Sequence, residues 1–207
     1  MLNQRNLAWK LNWYRQSELE GAMVLGKLVN QARDPYLLHQ LTKHCADEAR
    51  HAWLWERTIV RLGLPTLRIH RSYQSFYLEE IKRPRSITEV LALTHIFELR
   101  VHRQFAEDLS EPGLPEEARR TFIAMLHDEK GHLDWIARWL AATGNAEAVL
   151  DRYREADERV YQRLAVYHDR IWDIAGLGDS LTGEDLDDRA SEEPHAAQPQ
   201  HSLQAPA

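Results

Sequence analysis

Two copies of one short phrase limit what this chain can fold into: Asp47-Glu48-Ala49-Arg50-His51 and Asp128-Glu129-Lys130-Gly131-His132. Each sets a carboxylate and an imidazole three residues apart, and on a helix positions i and i+3 share one face. Each phrase can therefore aim a Glu oxygen and a His nitrogen at one point. Two such helices facing each other would hold two metal ions in a bundle core, provided that two further carboxylates arrive from elsewhere.

Helical periodicity runs through most of the chain and predicts an all-α fold. The first helix is expected over about 3–32, where Leu11, Tyr14, Glu18, Ala22, Leu25 and Val29 recur at steps of three or four. Asp34-Pro35 reads as an N-cap followed by Pro at the first helical position, opening a helix over about 35–62. Its stripe is Leu37, Leu41, His44, Glu48, His51 and Trp55, and Gly63-Leu64-Pro65 ends it. Residues 66–85 show no sustained helical period beyond a turn near 75–81. That length suits a connection crossing a whole bundle. Ser86-Ile87-Thr88-Glu89 is a capping box for a helix over about 87–109 carrying Leu91, His95, Glu98 and Phe105. Glu111-Pro112-Gly113-Leu114-Pro115 breaks it, and a helix over about 115–143 follows with Phe122, Met125, Glu129, His132, Ile136 and Leu140 inward. Gly144 suits the position just past that helix. A long further helix over about 145–175 carries Val149, Tyr153, Ala156, Val160 and Leu164, a stripe for packing on the bundle or on a second subunit. Residues 1–175 thus form one helical domain. Residues 176–207, rich in Gly, Asp, Glu, Pro, Ala and Gln, read as a disordered acidic tail.

The stripes supply the missing carboxylates. Glu18 precedes Glu48 by 30 residues and Glu98 precedes Glu129 by 31, so each half is a helix bearing one Glu followed by an antiparallel helix bearing Asp-Glu-x-x-His. The wording repeats too, Ser17-Glu18-Leu19 against Phe97-Glu98-Leu99. The candidate metal ligands are Glu18, Glu48, His51, Glu98, Glu129 and His132. Glu20, on a different face of the first helix, is the alternative to Glu18. Four carboxylates on inward stripes would be very costly to bury without cations. Two divalent ions balance them in charge, and a carboxylate-imidazole set suits iron or manganese.

Composition narrows the class further. The net charge of -6 argues against a general nucleic-acid binder. The single cysteine, Cys45, rules out an intrachain disulfide and any four-cysteine zinc or iron centre. No stretch approaches 18 uninterrupted apolar residues and the first ten residues lack an apolar core, so neither a membrane span nor a secretory signal is expected. The default expectation is a soluble, cytoplasmic protein.

The ordered set resembles the ferritin-like superfamily, which includes bacterioferritin, rubrerythrin and ferritin-like di-iron oxygenases. Asp128-Glu129-Lys130-Gly131-His132-Leu133-Asp134-Trp135 is particularly similar to the fourth helix of bacterioferritin. The similarity spans about 4–143. It implies a four-helix bundle with one long crossover and two irons per chain, with Mn/Fe or Mn/Mn as other pairings. It further implies that Glu48 and Glu129 bridge the metals, with Glu18 and His51 terminal on one and Glu98 and His132 on the other. Bacterioferritin ends in a short fifth helix where this chain has a long one, which weakens a storage-cage reading. Rubrerythrin carries a Cys-rich domain absent here, so an electron donor would be a separate protein. The leading expectation is an oxidoreductase that activates O2 or peroxide, built as a homo-oligomer, most simply a dimer. The alternatives are a ferroxidase or iron-storage protein and a non-catalytic metal-binding protein.

Other residues carry weaker readings. His44 and His95 read as hydrogen-bonded core histidines, with partner or extra-ligand roles as alternatives, and His102 as a polar core or boundary residue. Asp47 and Asp128 either accept the N–H of a ligand imidazole from the opposite half or sit solvated on the helix surface. Tyr14 reads as core with a satisfied hydroxyl, or as a group bonded to a ligand. Trp53, Trp55, Trp135 and Trp139 read as packing rather than an electron relay. His195 and His201 read as incidental. The phrase Gly176-Leu177-Gly178-Asp179-Ser180-Leu181-Thr182-Gly183 faintly resembles the docking peptides of cargo carried in encapsulin shells, with a flexible linker as the plainer reading.

Overall fold

A computed structural model describes residues 4–69, 72–81, 83–144 and 146–172, with side chains described only to residue 162 in the last helix. The described chain is all helical: α1 (Gln4–Val29), α2 (Pro35–Arg61), α3 (Tyr73–Glu80), α4 (Ile87–Leu109), α5 (Glu116–Ala142) and α6 (Ala146–Trp172). No β-strand occurs among the described residues, and no helix there is long and apolar enough to cross a membrane. The expected tail (176–207), with His195, His201 and the Gly176–Gly183 phrase, lies outside the described residues, as does the expected end of the last helix at 173–175.

The helix ends follow local chemistry. The Asp34 carboxylate accepts the Leu37 N–H at 2.7 Å, with Pro35 at the first helical position. Ser86 Oγ accepts the Glu89 N–H at 3.1 Å. The Glu89 carboxylate reaches back to the Arg85 N–H at 2.6 Å, one residue before the cap that a standard capping box would use. Gly63, Gly113 and Gly144 take positive φ, at 66°, 83° and 73°, where the chain turns out of α2, into α5 and out of α5.

Helices α1 and α2 form one antiparallel hairpin and α4 and α5 another, and the two meet through α2 and α5. Cross-contacts fix the directions. His44 meets Trp135 and Thr58 meets Thr121, so α2 and α5 are antiparallel. Lys10 and Tyr14 both bond Asp108, so α1 and α4 are antiparallel too. It follows that α2 and α4 run the same way, and the chain must travel the bundle's full length between them. A helix the size of α2 is about 40 Å long.

The crossover is tied to α1 as it climbs. Asn12 donates to Pro65 O at 3.0 Å and accepts from Leu67 N at 2.8 Å, while Arg15 donates to Leu67 O at 2.6 Å. Glu20 accepts from Ser72, and Gln74 donates to Ser17 O at 2.9 Å. Where only a turn was expected, the crossover contains the helix α3. At eight residues it is too short to show a period in sequence, and what forms it is the docking of Phe76 and Tyr77 onto Trp9, Trp13 and Val160. Helix α6 packs along α4 and α3 through Tyr153, Ala156 and Val160, with Asp157 bonded by Tyr77 and Arg100.

Besides the cluster that docks α3, two apolar blocks fill the space between the four long helices. One gathers Leu11, Tyr14, Trp55, Phe105, Phe122 and Met125. The other gathers Leu25, Leu41, Leu91, Trp135, Ile136 and Leu140. A layer of Glu and His side chains separates them. Replacing Asn12 with Ala removes both crossover bonds of its side chain and leaves the Leu67 N–H unpaired. We predict a loss of about 2 kcal/mol in denaturant unfolding; a change below about 0.5 kcal/mol would show that the crossover is held elsewhere.

Candidate metal centre

Six of the side chains in that layer are those singled out in the sequence. Glu18, Glu48, His51, Glu98, Glu129 and His132 are all buried at mid-bundle, contributed by α1, α2, α4 and α5. Together with His44 they form two groups whose donor atoms lie close enough to hold a metal ion. One is Glu18, Glu48, His51 and Glu129; the other is His44, Glu48, Glu98 and His132. Glu48 belongs to both. Its Oε1 faces His51 Nδ1 at 3.9 Å and His132 Nδ1 at 3.6 Å. Glu129 faces the same two nitrogens with its two oxygens, Oε1 at 3.6 Å from His51 and Oε2 at 3.4 Å from His132. Glu18 Oε2 lies 3.5 Å from His51 Nδ1.

The far side of each imidazole is held by the other half of the chain. His51 Nε2 lies 3.2 Å from Asp128 Oδ2, and His132 Nε2 lies 3.4 Å from Asp47 Oδ2. Arg50 bonds both Asp47 and Asp128, at 3.2 and 2.8 Å. A carboxylate accepts only, so each Nε2 carries a proton and each Nδ1 is the ring atom turned inward to the glutamates; the raised proton affinity of both rings means that a metal would compete with a proton for that nitrogen.

Those inward atoms find no hydrogen-bond partner in the protein: His51 Nδ1, His132 Nδ1, Glu98 Oε2 and Glu129 Oε2 are buried and unsatisfied. Buried polar atoms are almost always paired. Here several unpaired ones converge on two points, and their donor set of carboxylate oxygens and imidazole nitrogens fits a metal ion.

Burial also shifts the protons of this layer. Burial lifts the Glu48 carboxyl well above the ordinary range, reinforced by Glu18, Glu129 and Glu98 around it. Glu98 is lifted for the same first reason and by Glu129, and Glu18 also rises on burial. Burial pushes His51 down, but Glu18, Glu129 and Asp128 outweigh it and hold the ring at about 9. Asp47, pushed up by partial burial, is nevertheless held at about 2 by Lys43, Arg50 and His132. Asp128 is held low in the same manner, chiefly by Arg50.

His44, on the same inward stripe as Glu48, joins the layer. Its Nε2 sits 2.9 Å from Glu98 Oε1 and 3.2 Å from Glu48 Oε1, although out of line for a hydrogen bond, and its ring stacks on His132 with centroids 3.7 Å apart. Trp135 Nε1 donates to its Nδ1 at 3.3 Å. An indole N–H can only donate. Burial and the His132 charge keep the ring neutral, so its one proton sits on Nε2, facing the carboxylates. In that state His44 turns an N–H towards Glu98 and Glu48, and it would have to give up that proton to serve as the fourth member of its group.

The remaining candidates fall elsewhere. Glu20 is taken up by Ser72 and Gln16, so the alternative to Glu18 does not reach the centre. His95 and His102 belong to neither metal group. The Tyr14 hydroxyl donates to Asp108 at 2.5 Å. Trp55 is buried among Tyr14, Phe105 and Phe122, Trp139 packs on the second apolar block, and Trp53 is 59% exposed.

Gly21 is a site residue that the sequence did not mark. It lies one turn after Glu18, and a Cβ there would run into Glu48 Oε2. A glycine in mid-helix weakens the helix, so the signal lay in a cost without a turn to explain it. Beside it opens a cavity of about 700 Å³ between α1 and α4, floored by the carboxylates of Glu18, Glu48, Glu98 and Glu129.

No protein-family model, no curated protein and no solved structure matches this chain.

Two outcomes are expected. In the metal-free chain the raised Glu48 and Glu98 keep protons that the unfolded chain releases near 4.5. The folded state therefore binds more protons above that pH, and its stability falls as pH rises towards the raised values. Metal replaces those protons, so the rise in melting temperature on adding Mn2+ should grow from pH 5.5 to 7.5, with protons released on binding. A constant rise without proton release would contradict the protonated carboxylates. Second, Gly21→Ala should weaken Mn2+ binding about tenfold or more by displacing Glu48 while retaining helicity. Unchanged affinity would show that Glu48 does not depend on the gap.

Proposed function

We propose that this chain is a dinuclear metal oxidoreductase with a ferritin-like bundle, acting with O2 or peroxide. The observation that carries the reading is the pair of buried Glu/His groups sharing Glu48, in which inward atoms of His51, His132, Glu98 and Glu129 are unpaired. Glu18 and His51 would hold one ion, Glu98 and His132 the other, with Glu48 and Glu129 between them. Iron is the favoured metal, with manganese in one or both positions compatible with the same donors. Such a pair, when bound, would supply the electrons that reduce O2 or peroxide.

The chain's own residues have distinct tasks. The four glutamates balance the charge of two divalent ions, and their paired oxygens can shift between one ion and both. Asp47 and Asp128 hold the imidazoles in one tautomer and orientation. His44 keeps a proton beside Glu98 and Glu48. Tyr14, Trp55, Phe105 and Phe122 close one end of the layer, while Leu91, Ile136 and Trp135 close the other, keeping bulk water from both ends. The carboxylate side opens instead onto the cavity, which gives a second reactant a route to the centre. That route supports oxidation of a bound molecule over iron storage.

The test is anaerobic loading with Fe2+, metal counting, and rapid mixing with O2 and with H2O2. About two ions per chain are expected, with oxidant consumed and the ferrous form oxidised within seconds. In Glu48→Ala combined with Glu129→Ala, uptake should fall below about one ion per chain, since both groups lose a shared ligand. Undiminished uptake would refute the assigned bridging positions. Two bound ions that leave O2 and H2O2 untouched would make the protein a metal binder rather than an oxidoreductase.

A further inference from the structure

The cavity has a second chemical feature besides its acidic floor. Its walls between α1 and α4 are apolar, including Leu28, Val90, Leu93, Phe97 and Val101. Its rim is apolar as well: Met23, Val24 and Leu78 line it while 56%, 42% and 59% exposed. Exposed apolar side chains gathered at the mouth of a cavity are a sign of ligand entry. At about 700 Å³ the space is in the range of small-molecule sites.

The two ends differ in charge. The acidic end is the metal layer. At the other end Lys27, Arg83 and Arg85 line the cavity, and their side chains make no ion pair among the described residues. Arg100 also lines it but is held by Asp157 at 2.6 Å. The nearest carboxylate of the α4 start, Glu89, is engaged by Arg152 at 2.7 Å and by the Arg85 backbone. Lys27 is nine residues beyond Glu18, about 14 Å along the helix, and the start of α4 at Ile87 stands about 17 Å from Glu98 on the same scale. A basic end and a metal-facing end are thus separated by an apolar passage about as long as an extended medium-length alkyl chain.

We propose that this cavity binds a single-chain amphiphile with an anionic head, its head at Lys27, Arg83 and Arg85 and its alkyl chain directed towards Glu18 and Glu98. The role of that molecule as substrate rests on the dinuclear reading above; its binding does not. A head of this charge would be repelled by the carboxylate floor and drawn to the basic end, which fixes the orientation. Gln31 and Ser86 supply polar groups at the same end, and the one carboxylate that lines the cavity between the ends on α1, Glu20, is hydrogen-bonded by Ser72 and Gln16.

The experiment uses the full chain, metal-free and loaded with Mn2+, titrated calorimetrically with dodecanoate below its micellar concentration. Dodecyltrimethylammonium and acetate serve as charge and chain controls. Dodecanoate should bind in both forms with one site per chain, and acetate should not. The cationic analogue should bind at least about tenfold more weakly. Arg83→Glu with Arg85→Glu, both exposed, should reverse the charge preference while leaving the metal count unchanged. Val24→Trp, on the exposed rim, should block dodecanoate alone. Equal affinity for the two amphiphiles, or full dodecanoate affinity in the charge-reversed variant, overturns the proposal. So does absence of dodecanoate binding together with a dimer that Leu78→Glu dissociates, for the apolar rim is then a contact between copies. Dodecanoate binding by a chain that takes up no metal leaves this proposal standing and removes the dinuclear reading.

Discussion

Four carboxylates buried within a few ångströms of one another are the constraint on which the rest of this structure depends. Isolated ionised groups in an apolar interior are very unfavourable, and here Glu18, Glu48, Glu98 and Glu129 share one layer. The protein accommodates them in three ways. Burial raises the affinity of Glu48 and Glu98 for protons. His51 and His132 offer partners whose charge depends on their own surroundings. Inward atoms of His51, His132, Glu98 and Glu129 have no hydrogen-bond partner in the protein and could be taken up by a cation. A bundle that wanted only stability would fill the layer with leucine, as the blocks above and below it do.

The fold serves that layer. Each hairpin contributes one Glu from its first helix and a Glu-His pair from its second, so ligands come from four helices and none needs a loop. The crossing of Asp47 to His132 and of Asp128 to His51 makes each half orient the other's imidazole. The two halves therefore have to be in register before either is complete. The crossover that this topology demands is put to use as well: with α3 it roofs the opening between α1 and α4 and brings Arg83 and Arg85 to the cavity.

Much of this could be read from residue order. The four long bundle helices, their caps at Asp34 and Ser86, and the six ligand candidates all follow from period, capping chemistry and repeated spacing. What escaped depends on contacts between distant segments. Helix α3 exists because Phe76 and Tyr77 find Trp9, Trp13 and Val160, and eight residues carry no period of their own. His44 read as a hydrogen-bonded core histidine or as a partner of the ligands, and its bond from Trp135, 91 residues away, is what places its proton. Gly21 has meaning only once Glu48 lies across it. The cavity is a gap between α1 and α4, and a gap has no sequence pattern. Glu18 and Glu20 were separable by stripe, and Ser72 supplies the physical reason that Glu20 turns away.

The central claim is that the Glu/His layer holds two metal ions bridged by Glu48 and Glu129. The most direct test is anomalous diffraction from crystals of the chain grown with Fe2+ under anaerobic conditions, recorded on both sides of the iron absorption edge. The account predicts two anomalous peaks about 4 Å apart, one beside His51 and one beside His132, with Glu48 and Glu129 between them. A single peak, or peaks only at surface carboxylates with the layer free of metal, would contradict it.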